Sequence, residues 1–157
     1  MHVQLFYDTQ EDRLQLIIAE NDESRGWWIT RRAARLLGQA LTARLSAATP
    51  PDVLDPTPAW GQGLKADRRL SFLPSPILAV QETHLLTAVR HGRHADGRHV
   101  LVLVGKDREE QGLLCDDEAL YAFLELLQRQ VAKTDWNVRL DGADARQDFE
   151  VPVAKLQ

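Results

Sequence analysis

Four histidines, His84, His91, His94 and His99, crowd one stretch of the chain, and two imidazoles on a shared face are the beginning of a metal site. Ala95-Asp96-Gly97 lies between the last two, and Asp-Gly suits turns that need positive φ, so His94 and His99 are placed side by side across a hairpin. A metal needs a third or fourth ligand, and Asp96, in the turn itself, is the only nearby carboxylate. The spacing therefore predicts exposed histidines at a hairpin tip and no metal. The single thiol, Cys115, falls where a strand meets a helix N-terminus, a position that favours thiolate. Asp116, Asp117 and Glu118 follow it and oppose that charge, so Cys115 reads as a small buried apolar residue. Asp141 and Asp144 lack the ligand spacing of a calcium loop. No nucleophile elbow, phosphate-binding Gly-Lys-Ser/Thr loop or dinucleotide fingerprint occurs. No catalytic residue and no cofactor are assigned, and an enzyme is not expected.

The other chemistry on offer is anion binding. From Ser24 to Pro51 there is no acidic residue, while Arg25, Arg31, Arg32, Arg35 and Arg44 all fall in this window. Arg31 and Arg32 open a predicted helix, at the end where the backbone dipole disfavours cations, and free helix N–H groups with two arginines can hold a phosphate or carboxylate. Arg25, Arg31, Arg32 and Arg35 are the candidate anion-binding set; a solvated helix face is the plain alternative.

These residues are positioned by elements that can be read from periodicity. His2–Tyr7 and Arg13–Glu20 alternate as a hairpin, and Gly26–Ile29, with two tryptophans, continues as a third strand. Thr30 caps a helix reaching Ser46, with Ala34, Leu37, Leu41 and Leu45 on its buried side. Residues 47–76 hold six of the seven prolines and read as an extended connection, with Trp60 docking it and Arg69–Leu73 adding a short edge strand. Ile77–His94 is β-like, bent or broken near Glu82, His99–Val104 is apolar on both faces as in a central strand, and Gly112–Cys115 is a further strand. Asp116 caps a second helix to about Lys133, lined by Leu120, Phe123, Leu127 and Val131. The tail, 136–157, offers short strands at 137–140 and 149–153.

An offset of 86 superposes the two halves without a gap. Leu14, Leu16 and Ile18 fall on Val100, Val102 and Val104; Trp27, Trp28 and Ile29 fall on Leu113, Leu114 and Cys115; Thr30 falls on Asp116. The expected fold is α+β: two β-β-β-α units, residues 1–46 and 77–135, each a small antiparallel sheet covered by one helix, joined by the proline-rich connection within one compact domain. Each sheet then keeps a second apolar face, carrying Phe6, Ile17 and Trp28 in the first unit and Leu101, Leu103 and Leu114 in the second. Burial of each such side chain is worth about 1.5–3 kcal/mol, so these faces must meet each other, a partner or a ligand.

The chain has 157 residues, 44% of them apolar and 27% charged, with a net charge of −4, the composition of a globular domain without a basic nucleic-acid footprint. No apolar run suits a membrane helix, no signal peptide is visible, and one cysteine leaves no disulfide framework; a cytoplasmic protein is expected. In topology alone, the tandem of sheet-plus-helix units over about residues 2–133 resembles the Whirly and PC4 group of single-strand DNA binders. That resemblance implies sheets that bind nucleic acid and helices that hold the units together; it carries over no binding residue. Two functions follow. The first is a non-enzymatic binding or assembly module, working on a protein partner or a second copy through the face of Phe6, Ile17 and Trp28 or through a strand edge. The second is single-stranded nucleic-acid binding, with Trp28 and Phe6 stacking on bases and the Arg25–Arg44 stretch meeting phosphates.

Overall fold

The structure, a computed structural model, describes residues 1–46, 70–73 and 80–140. Strands β1 (His2–Asp8), β2 (Arg13–Glu20) and β3 (Glu23–Ile29) lead into helix α1 (Arg31–Ser46). After β4 (Ser71–Phe72), strands β5 (Glu82–Arg93), β6 (His99–Gly105) and β7 (Glu110–Cys115) lead into helix α2 (Asp117–Val131). Both predicted caps are in place. Thr30 Oγ1 accepts from Ala33 N at 3.3 Å and Asp116 Oδ1 from Ala119 N at 2.8 Å. The edge strand expected within 69–73 is β4, while the rest of the proline-rich connection, Trp60 included, and the strand expected at 149–153 lie outside the described residues. No regular strand forms at 137–140; Leu140 instead seats against Gly38 of α1, and its carbonyl lies 3.1 Å from Thr42 Oγ1.

Instead of two small sheets there is one mixed sheet of seven strands, in the order β4-β1-β2-β3-β5-β6-β7. The junction is a parallel pairing of β3 with β5, from Arg25 opposite Glu82 to Trp28 opposite Leu85. Two separate sheets would leave two further strand edges with unpaired N–H and C=O groups, and pairing β3 with β5 removes both. The helices do not each cover their own three strands. Both lie on one face of the sheet and pack on each other, α1 mainly over β5 and α2 reaching β1. One core results, in which Leu14, Leu16, Trp27, Leu37, Leu101 and Leu127 are all fully buried.

The offset of 86 also fails at β6. Leu101 and Leu103, not Val100, Val102 and Val104, join Leu14, Leu16 and Ile18 under the helices, so Leu101 and Leu103 do not belong to a second face. The cause is loop length. Asn21 and Asp22, both at positive φ, make a two-residue turn between β2 and β3, whereas Lys106–Arg108 makes a three-residue connection between β6 and β7. One extra residue slips the pairing by one, and with a side-chain period of two that slip exchanges the faces of β6. The strand tolerates it because it is apolar on both sides, as predicted, and all of its residues are buried. The chain bends at Gln81, beside Glu82 where β5 begins, as expected, and a second irregularity lies between Leu86 and Ala88, where the register with β6 shifts. No helix among the described residues is long and apolar enough to cross a membrane.

Candidate binding site

The histidines do not converge. Two of them are buried, contrary to the expected hairpin-tip exposure, because β5 and β6 are interior strands of the single sheet. His84 packs its ring against Trp27, with 5.4 Å between centroids. Its Nδ1 is 3.5 Å from Glu109 Oε2 and its Nε2 3.5 Å from Glu82 Oε2. His99 Nε2 is 2.6 Å from Asp117 Oδ1, which ties β6 to the first turn of α2. His94 stays at the tip, its Nδ1 3.3 Å from the Asp96 backbone N. Arg98 holds the Asp96 carboxyl well below the usual carboxylate range, donating from Nε at 2.9 Å and Nη2 at 2.6 Å. Among the described residues, no group of three or more His, Cys, Asp or Glu is arranged to hold a metal ion. Cys115 is buried, and burial first, then the Asp116 carboxylate, push its thiol up to about 12, so it is not a nucleophile at neutral pH.

The four candidate arginines do not form one patch. Arg31 and Arg32 are exposed in the first turn of α1, with Arg35 half-buried one turn on. Arg25 stands near the opposite end of β3, about 13 Å along the strand from Ile29. There it lines a polar cleft of about 540 Å³ with Glu20, Glu23, Glu82 and Gln111. Three carboxylates and one guanidinium make that cleft acidic, not anion-seeking.

Phe6, Ile17 and Trp28 do share the face away from the helices. Phe6 and Trp28 both stand opposite Gln15, and Ile17 lies in the adjacent row beside Gln4 and Gly26. Phe6 and Trp28 are half-buried, but Ile17 is only 2% exposed. Val100 and Val102, on the same face of β6, are 0% exposed. Within a single chain, then, much of this apolar face is already out of water.

The strand edge that the sequence leaves unlocated is at β7. The sequence marks a strand at Gly112–Cys115, but an edge is defined by sheet order, and no residue between Glu110 and Cys115 encodes that β3 pairs with β5. Gly105 N donates to Glu109 O at 2.8 Å and closes the β6–β7 hairpin. By antiparallel alternation, Gln111, Leu113 and Cys115 then bond to β6, and the N–H and C=O groups of Gly112 and Leu114 point outward. No described strand pairs with them. The sheet curls far enough that its two edges line one cleft of about 220 Å³. Leu70 and Phe72 come from the β4 side, Leu114 from β7, and Asp116, Glu118, Ala119 and Ala122 from the start of α2. Phe72 is held there by stacking on Phe123 of α2 at 5.8 Å. A strand edge unpaired among the described residues, beside a cleft of mixed polar and apolar lining, can add a strand from another chain, the backbone supplying affinity and the cleft choosing a side chain.

Set against known protein families, characterised proteins and solved structures, the chain matches none.

Proposed function

We propose that the chain is a non-enzymatic binding module that takes an extended segment of a partner protein, or of a second copy, as an additional strand along β7. The observation that carries this reading is the pair of outward-facing backbone positions, Gly112 and Leu114, on a six-residue outer strand next to a cleft lined from both sheet edges. Charge covers only the first residue of this outer strand, where the Arg25 guanidinium lies 3.4 Å from the Glu110 carbonyl, and an outer strand left open beyond that is a site that proteins either protect or use. The apolar sheet face is the weaker surface, because Ile17, Val100 and Val102 have little area left to bury. Nucleic-acid binding draws no support from arginines divided between two ends of β3.

The test is peptide selection from a random linear library on the full chain, followed by amide exchange with the selected peptide bound. Gly112 and Leu114 should exchange fast in the free protein and slow in the complex, and Gly112→Pro should abolish binding with the circular dichroism spectrum unchanged. Proline is tolerated there because the Gly112 N–H does not serve the β6 ladder. If the second copy is the partner, light scattering gives a dimer with the same two amides protected. Ligands that leave both amides unprotected would overturn the reading.

A further inference from the structure

Resting on that reading, we infer that the segment taken by β7 is basic as well as apolar: one apolar side chain enters the cleft, and a lysine or arginine beside it meets the carboxylates at the start of α2. The cleft wall supplies the first half. Leu70, Phe72, Leu114, Ala119 and Ala122 present an apolar surface large enough for a leucine- or phenylalanine-sized side chain. Burial in such a slot anchors an added strand, whose side chains alternate between the cleft and the opposite face.

The rim supplies the second half. Asp116 and Glu118 line the cleft and are exposed. Among the described residues the cation on the rim is Arg98, which donates to Asp96 from Nε and Nη2. Asp117, between them, is engaged by His99, which leaves Glu118 as the carboxylate best placed for an incoming cation. The wider field has the same sign. Among the described residues, 80–140 carry 10 acidic against 8 basic residues. A basic segment is steered to this edge and an acidic one is repelled.

The probes are two fluorescein-labelled, capped heptapeptides that alternate valine with threonine, one carrying two lysines and the other two glutamates, read by fluorescence anisotropy on the full chain. The lysine peptide should bind about two- to fivefold more tightly at low salt, the range for partly exposed ion pairs, and the difference should shrink in high salt. Glu118→Lys should narrow or reverse the preference. Ala122→Phe, which fills the cleft without changing charge, should weaken both peptides alike. Equal binding of the two peptides, with Gly112 and Leu114 protected in both complexes, would overturn the basic specificity and leave edge capture standing. Failure of both peptides to protect those amides would count against the edge itself.

Discussion

Trp27 donates its indole N–H to Gln111 Oε1 at 2.6 Å, joining β3 to the outermost strand β7 over the two strands between them. The indole passes close above Gly105, where a Cβ would lie 3.3 Å from its Cζ3, and it flanks the ring of His84. A glycine at this point of β6 is what lets the two side chains meet. Because Gln111 precedes Gly112, the bond also fixes the part of β7 whose outward groups form the proposed edge.

The Trp27 ring is 0% exposed, so its N–H has little water to fall back on if the acceptor is lost. Gln111→Leu should therefore destabilise the fold by about 1–3 kcal/mol, the cost of an unsatisfied buried donor. Gln111→Glu, which keeps an acceptor at the same reach, should cost less. Urea midpoints at constant m-value measure both. A neutral Gln111→Leu would mean that the indole has another acceptor and that this bond does not hold β7.

Asp12 joins the β1–β2 turn to the segment after α2. Its Oδ1 accepts from the Tyr7 hydroxyl at 2.5 Å and from Trp136 Nε1 at 3.1 Å. The hydrogen bond to Asp12 is the main cause that raises Tyr7 from 10.0 to about 12. A phenol whose folded value exceeds its unfolded one binds its proton more tightly in the folded state. Its stabilising effect is complete below pH 10 and is lost as the pH rises through about 12. Asp12→Asn keeps a residue that tolerates the positive φ of 51° found here and removes the charge. An ultraviolet titration should then show the Tyr7 phenol ionising closer to its ordinary value, and the alkaline loss of stability should begin earlier. An unchanged titration would show that the carboxylate does not hold the phenol.

Local chemistry was legible in the sequence wherever a few neighbouring residues decide the outcome. Thr30 and Asp116 cap because a short oxygen before an apolar helical pattern has free N–H groups within reach. The 99–104 run is interior because nothing polar interrupts either face. What could not be read depends on distant pairings. The parallel contact of Trp28 with Leu85 turns two sheets into one, and no local pattern announces it. The exchange of Val102 for Leu101 under the helices follows from one extra loop residue, which an ungapped comparison cannot register. His84 and His99 are buried and not exposed for the same reason, since hairpin residues are exposed at an edge and buried in the middle of a sheet. The edge at β7, on which the proposed site rests, exists only once that order is known.

The two caps also separate local from electrostatic contributions. Asp116 makes the shorter bond and brings a carboxylate to the positive end of α2, in a first turn that also carries Asp117 and Glu118. Thr30 makes a 3.3 Å bond at the start of α1, where the first turn has no acidic residue and begins with Arg31 and Arg32. Thr30→Ala should cost about 0.5–1 kcal/mol and Asp116→Ala about 1–2 kcal/mol, the difference reflecting the charge on the cap. Arg31→Glu, at an exposed position, should stabilise by about 0.3–1 kcal/mol, because the dipole now meets a charge of the favourable sign. Salt distinguishes the two kinds of effect. The gain from Arg31→Glu should shrink as ionic strength rises, while the Thr30→Ala loss, which is a neutral hydrogen bond, should not. Thermal melts at two salt concentrations measure all three variants, and equal salt dependence for Thr30→Ala and Arg31→Glu would refute the assignment of the second to the dipole.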